Sequence, residues 1–386
     1  MTEILDHSAS EGLLVGRVWR PDIDGPSVVA IRDGRVIDIT SRDIPTVRDL
    51  LETDDPARVL TEAAGEDIGG LDEVVANTGA DDDAKSGTRL LAPCDLQAIK
   101  ACGVTFASSL IERVIEEKAA GDPGRAASIR ARVSNLIGGS LANVRPGTEA
   151  AGELKAALIA EGMWSQYLEV GIGPDAEVFT KAQVLSSVGW GDRVGLHPKS
   201  GWNNPEPEIV LAVDSRGRVK GATLGNDVNL RDIEGRSALL LGKAKDNNAS
   251  CAIGPFIRLF DDSFGIDDVR VAELELVIEG RDGFVLRGHS RMAEISRDPL
   301  DLVAQTIGPH HQYPDGFMLF LGTLFAPVQD RDAPGQGFTH KIGDVVRIRA
   351  DGLGTLENTV DGSTQCPPWT FGASALMRNL AARKLI

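Results

Sequence analysis

A chain of 386 residues, 42% hydrophobic and 25% charged, has the size and make-up of one large globular domain with room for a smaller one. Its 40 basic against 57 acidic residues leave a net charge of −17, which argues against nucleic acid and anionic membrane surfaces as partners. Anionic small molecules stay open, because a bound cation and a few lysines reverse the field inside one cleft. Met1 to Gly12 is polar and acidic and lacks the basic-then-apolar pattern of a secretory leader. No apolar run approaches the ~18 residues of a membrane span. Cys94, Cys102, Cys251 and Cys366 show no Cys-x-x-Cys spacing and read as reduced thiols of a cytoplasmic protein.

In chain order, Leu13 to Arg48 reads as β, with short runs at 14–19 and 27–31. Asp33-Gly34 is a turn signal ahead of Val36 to Ile39 and predicts a hairpin. Thr46 to Val75 reads as helical or irregular. Asp81-Asp82-Asp83 reads as a solvated turn or linker. A small N-terminal domain is therefore expected over 1–88 and the main domain over 89–386.

Leu110, Ile111, Val114 and Ile115 recur at helical spacing and predict a helix over 110–119. Ser109-x-x-Glu112 reads as its capping box. Gly121-Asp122-Pro123-Gly124 breaks the chain before two further helices, over 125–136 and 149–161. This helical insert, about 110–165, is either a lid beside an active centre or a packed helical layer or subunit contact. Strands follow at 271–278 and 284–286 around the turn at 279–283, then a helix over 292–305 and an apolar strand over 317–325. Strands near 344–348 and 356–360 and a helix over 371–385 complete the chain.

The densest chemistry lies between Asn203 and Pro255. Glu206 and Glu208 stand two apart at the mouth of the strand-like run Ile209 to Val213. Residues i and i+2 of a strand share a face, and two carboxylates on one face repel unless a proton or cation lies between them. A hard divalent cation with oxygen ligands answers that, with Asp227 as a third ligand from a loop rich in Gly and Asn. The other reading of the pair is two solvated charges on an edge strand. His197 reads as structural, because three carboxylates already complete an oxygen site, and Cys251 reads as core packing.

Several ordered motifs resemble the fumarylacetoacetate hydrolase superfamily. They are Phe179-Thr180-Lys181, Pro205-Glu206-Pro207-Glu208, Gly225-Asn226-Asp227-Val228 with Arg231-Asp232, and Lys245 followed by Gly254-Pro255. Leu321-Gly322-Thr323, the run 337–346 and the run 352–358 continue the series. An ordered set of this kind is far more specific than any single member. The resemblance covers about residues 91 to 386. It implies an α+β, β-rich fold: a mixed β-roll with peripheral helices, here preceded by the small β-containing N-terminal domain.

The resemblance implies that Glu206, Glu208 and Asp227 hold Mg²⁺, with Mn²⁺ or Ca²⁺ as alternatives. Lys245 matches the active-site lysine and Glu177 the proton-transfer carboxylate, with Glu169 in reserve. Lys181, Arg231, Thr323 and Asn226 match substrate-binding positions, and the apolar flank of Lys181 suits a charge at a cleft rim. Hydrolytic members present a His and a Glu that activate water on the segment after Cys102 to Phe106. Here those positions hold Ser109 and Glu112, so the general base for C–C hydrolysis is absent. The missing His, the helical insert and the added N-terminal domain resemble the longer 2-keto-3-deoxy-pentonate dehydratases. The expected reaction is Mg²⁺-dependent dehydration of a 2-keto-3-deoxy-D-xylonate or D-arabinonate to 2-oxoglutarate semialdehyde. Lys245 and Glu177 would share proton transfer at C3 and at the departing C4 hydroxyl. Alternatives are an acylpyruvate or diketo-acid hydrolase, a 2-oxo acid decarboxylase, and a non-catalytic metal- or ligand-binding relative. The expected partner is a small 2-oxo sugar acid, with no nucleic acid or membrane, in a homodimer or homotetramer.

Overall fold

The computed structural model describes residues 4–78, 86–126, 129, 144–160, 162, 164–325, 327 and 329–386. The expected acidic linker Asp81-Asp82-Asp83 and most of the expected helix over 125–136 lie outside the described residues.

Sixteen strands are described, in chain order: β1 (Leu14–Arg20), β2 (Gly25–Arg32), β3 (Arg35–Asp38), β4 (Glu66–Gly70), β5 (Arg89–Leu91), β6 (Ala98–Gly103), β7 (Glu177–Ala182), β8 (Arg193–Leu196), β9 (Pro207–Val213), β10 (Val219–Asp227), β11 (Cys251–Leu259), β12 (Glu273–Glu279), β13 (Val285–Arg291), β14 (Phe317–Phe320), β15 (Val345–Ala350) and β16 (Gly354–Gly362). Eleven of them make one sheet in the order β4-β3-β2-β1-β11-β10-β9-β14-β6-β7, with β5 on β1. The other five form a sheet in the order β13-β12-β15-β16-β8. Both are mixed, with parallel pairs at β14–β6 and β16–β8. The fold is thus the expected β-rich roll of mixed sheets with peripheral helices.

The patterning explains the layers. Every residue of β9 is buried, as its apolar run Ile209 to Val213 requires when both faces are covered. One core joins Ile209, Leu211 and Leu224 of the large sheet to Leu276, Ile348 and Leu356 of the small one. On the opposite face Val210, Ala212 and Phe320 meet Leu50, Leu51 and Leu60 of the helices Val47–Glu52 and Pro56–Glu62. β12 alternates buried and exposed, as a sheet with one wet face should. The Asp33-Gly34 hairpin forms with both turn residues at positive φ, 51° and 71°, joining β2 to β3.

Several elements differ from expectation. Residues 66–70 pair with β3 as a strand instead of continuing helical or irregular chain. The strand expected over 317–325 stops at Phe320, and Gly322 turns the chain at φ 92°. The helix expected over 292–305 is a 3-10 turn, Met292–Glu294, followed by the helix Pro299–Thr306. Asp298 caps that second helix and Pro299 opens it, a start signal inside the expected span. Ser109 is not a helix cap. The helix runs Ala107–Ala119 with Phe106 at its N-cap, and the Ser109 hydroxyl donates to the Phe106 carbonyl. That helix, Glu149–Ala160 and Gln166–Ile172 share an apolar cluster with Trp202. Among the described residues no helix is long and apolar enough to cross a membrane.

Candidate active site

β9 and β10 run antiparallel, with Gly225 opposite Glu208 and Asn226 opposite Pro207. The pairing extends past β9, where the Asp227 amide donates to the Glu206 carbonyl at 3.0 Å. Glu206, Glu208 and Asp227 therefore meet at one end of the two strands. Each offers a carboxylate oxygen, and these oxygens all lie within 4.8 Å of one another. All three residues are buried, at 6%, 2% and 1% exposure. This geometry favours the cation reading of the Glu206–Glu208 pair over two solvated charges.

Each carboxylate has its own support. Lys245, the last residue of the helix Leu241–Lys245, brings Nζ to 2.6 Å from Glu206 Oε2 and 3.1 Å from Asp227 Oδ2. Nζ of Lys181 on β7 lies 2.9 Å from Asp227 Oδ1 and donates to the Lys245 carbonyl at 2.5 Å. Glu208 accepts the Gly322 amide at 2.6 Å, which is the use made of the turn after β14. Arg113 Nη2 lies 2.9 Å from Glu206 Oε1.

Glu206, Glu208, Asp227, Lys245 and Arg113 border a cleft that also takes in Gly103, Glu177, Phe179, Glu234 and Thr323. Five of the lining side chains are carboxyls (Glu177, Glu206, Glu208, Asp227, Glu234) and two are cations (Arg113, Lys245). The imbalance has consequences. Burial first, then Asp227 and Glu206, holds Glu208 well above the ordinary carboxylate range. Burial also raises Glu177. For Asp227 burial pushes upward, but Lys181 and Lys245 overcome it and the net direction is down. Burial pushes Lys245 down, but Asp227, Glu206 and Glu234 outweigh it and keep the ammonium charged. Three buried oxygen donors in a cleft with surplus negative charge fit a hard divalent cation.

Not every expected site residue faces the cleft. Glu177 does, packed so closely on Gly103 that a Cβ there would lie 2.0 Å from its Oε2. Thr323 does, with its hydroxyl accepting the Phe325 amide at 3.1 Å. Lys181 is not at a rim: it is fully buried behind Asp227, because its stem is sealed in the sheet. Asn226 is also fully buried, and its Oδ1 accepts the Glu206 amide at 3.3 Å. Arg231 turns away from the cleft, stacks 4.3 Å from the Trp202 ring and bonds Glu116, Glu112 and the Pro327 carbonyl. Glu169 pairs with Lys155 on the helical layer and does not line the cleft. His197 lies beside Lys243, outside the carboxylate trio.

Arg113 and Glu234 line the cleft and were not expected. Arg113 falls four residues after Ser109, on the same helix face, which is the one sequence signal pointing to it. Glu234 carries none beyond its place one turn after Arg231.

Residues 205–361 match the family model described as fumarylacetoacetate (FAA) hydrolase C-terminal. A Haloferax volcanii protein named "Probable 2-keto-3-deoxyxylonate dehydratase" is 29% identical over 334 residues, 86% of this chain and 94% of that protein. The 2-dehydro-3-deoxy-D-arabinonate dehydratase of Saccharolobus solfataricus is 31% identical over 180 residues, 47% of this chain and 57% of that protein. A solved structure of 2-keto-3-deoxy-D-arabinonate dehydratase complexed with magnesium and 2,5-dioxopentanoate superposes with a TM-score of 0.62 at 22% identity, covering 90% of this chain and 99% of that one. Residues 205–361, which carry the carboxylate trio and Lys245, are thus the part of this chain that is similar to the fumarylacetoacetate hydrolase family.

Proposed function

We propose that this chain is a Mg²⁺-dependent dehydratase that converts a 2-keto-3-deoxy-pentonate to 2-oxoglutarate semialdehyde. The observation that carries the reading is the buried trio Glu206, Glu208 and Asp227 facing Lys245 and Glu177, in a cleft whose helix Ala107–Ala119 presents Ser109 and Arg113. No water-activating His stands on that helix, so loss of water is favoured over C–C hydrolysis. The names of the two curated relatives support the same reading, and so does the 2,5-dioxopentanoate bound to the solved dehydratase, since that compound is the semialdehyde.

In this reading Glu206, Glu208 and Asp227 hold the Mg²⁺. When bound there, the cation supplies Lewis-acid polarisation of the 2-oxo group. Glu177 and Lys245 flank that position, and Glu177 is kept protonatable by its burial. Glu177 takes the C3 proton and returns it, while the charged Lys245 ammonium holds Glu206 and Asp227 in place. Thr323, beside the Gly322 amide, orients the substrate carboxylate or hydroxyls. Lys181 acts through Asp227, Asn226 through the Glu206 backbone, and Arg231 through the helix that bears Arg113.

A coupled assay tests this directly. Protein with Mg²⁺ and 2-keto-3-deoxy-D-xylonate or D-arabinonate is followed through a semialdehyde dehydrogenase and its nicotinamide cofactor. A metal-dependent signal lost in Glu208→Ala is the expected result. No signal, with pyruvate or carbon dioxide released from acylpyruvates or oxaloacetate, would replace the reading with hydrolase or decarboxylase.

A further inference from the structure

The metal trio and Glu177 account for four of the five carboxyls in the cleft. The fifth, Glu234, is 3% exposed and ends the short helix Arg231–Glu234. Its Oε2 lies 2.8 Å from Nη1 of Arg113, whose Nη2 is 2.9 Å from Glu206. The guanidinium therefore stands between Glu206 and Glu234. Glu234 thus lines the cleft on the far side of Arg113 from Glu206. Glu116 shares the same Nη1 at 2.7 Å, so Arg113 does not neutralise Glu234 alone.

The charged and titratable groups that face Glu234 come from four elements. They are Arg113 and Glu116 on the helix Ala107–Ala119, Glu206 before β9, Lys245, and Tyr167 on the helix Gln166–Ile172. Burial, with Glu206 and Glu116, outweighs Arg113 and Lys245 and raises Glu234 to about 7.

The dehydration, on which this inference rests, contains a task beyond the C3 proton. Loss of the C3 proton and of the C4 hydroxyl yields a 5-hydroxy-3-enoate, not the semialdehyde. A second group must give a proton at C4 oxygen and later take one from C5. We propose that Glu234 is that proton donor and acceptor at the C4–C5 end of the substrate, held there by Arg113. As C3=C4 forms, the C4–O bond breaks with its electron pair on oxygen, which takes the Glu234 proton and leaves as water. The Glu234 carboxylate then removes a proton from C5, while the C3 proton is returned by the group that took it. The C4=C5 enol that results collapses to the aldehyde by accepting the Glu234 proton at C4 and giving its hydroxyl proton back to the carboxylate. Substrate loses one water in total, and both protein groups end as they began.

Glu234→Gln keeps the size and polarity of the side chain and removes its transferable proton. With 2-keto-3-deoxy-pentonate and Mg²⁺ in deuterium oxide, the variant should still exchange C3 hydrogen for deuterium, followed by NMR. Semialdehyde formation should fall roughly 10²–10⁴-fold, the range general acid–base groups supply. Mg²⁺ affinity by calorimetry should stay unchanged, and Glu234→Asp should restore part of the turnover. Unchanged turnover in Glu234→Gln overturns the inference, and so does exchange lost in step with turnover. If Glu234→Gln folds poorly, Glu234→Asp decides: product slowed more than exchange supports the role, and equal slowing overturns it. Wild-type protein that neither exchanges nor dehydrates fails the dehydratase reading itself and takes this inference with it.

Discussion

At the scale of single residues the site is a problem of buried charge. Lys181 illustrates how a residue can matter without meeting substrate. It is fully buried and paired with a buried carboxylate. Removing one partner of such a pair leaves the other charge uncompensated, so Lys181→Met should cost about 3–5 kcal/mol in denaturant unfolding. It should also weaken divalent binding through Asp227; a variant as stable as wild type would mean that Lys245 alone satisfies Asp227. A pH prediction follows from the raised carboxyls. Glu234 sits at about 7 in the fold against its ordinary 4.5, and Glu177 and Glu208 are raised too. The fold favours their protonated forms; for Glu234 the stability contributed is complete below 4.5 and is lost as pH rises through about 7, and Glu177 and Glu208 act in the same sense. Asp227, shifted down from 3.8, works in the opposite sense but in a lower window. Metal-free protein should therefore melt at progressively lower temperature across 4.5 to about 7, and Mg²⁺ should offset the loss. A melting temperature that climbs over that interval would contradict the charge imbalance described for the cleft.

At the scale of elements, glycines decide how closely the strands carry their side chains to the site. A Cβ at Gly103 would meet the far end of the Glu177 side chain, at 2.0 Å, and no rigid backbone. Gly103→Ala should thus move Glu177 and lower turnover while leaving thermal stability nearly unchanged. Gly225 is different: a Cβ there would lie 2.2 Å from the Phe320 ring and 2.6 Å from Val210 in the centre of the sheet. Gly225→Ala should destabilise by about 1–3 kcal/mol through overpacking, read from the denaturation midpoint. Both glycines lie in strands, Gly225 in the part of β10 that was expected to be a loop, and their neighbours come from other strands. The same contrast separates the elements themselves. The Asp33-Gly34 hairpin and the alternation of β12 follow from local chemistry and form as read. The end of β14 at Phe320 does not, because the turn at Gly322 is fixed by a carboxylate 114 residues away in sequence.

At the scale of the molecule, the N-terminal strands belong to the large sheet. β1 pairs with β11, and Phe256 of β11 packs on Gly16. β11 also pairs with β10, which carries Asp227. We propose that residues 1–88 act as a structural flank of the catalytic domain. Expression of residues 89–386 alone should give aggregated or unfolded protein by size-exclusion chromatography and circular dichroism, because it bares the edge of β11 and the apolar face beneath β1. A folded, active fragment would instead make residues 1–88 an independent domain.

The sequence by itself determined the β-rich class, the hairpins and the grouping of Glu206, Glu208 and Asp227. Those rest on local rules: the two-residue period of strands, turn residues, and a short motif whose members lie on paired strands. Only the tertiary structure decided which charges face the cleft. Lys181 and Arg231 carry the charge expected of substrate ligands, but are turned inward to hold Asp227 and the helix Ala107–Ala119. Arg113 and Glu234 meet in the cleft from segments far apart in the chain. Whether a long charged side chain binds substrate or supports another residue depends on the direction its stem leaves the backbone and on what is packed around it. Neither is a property of nearby sequence.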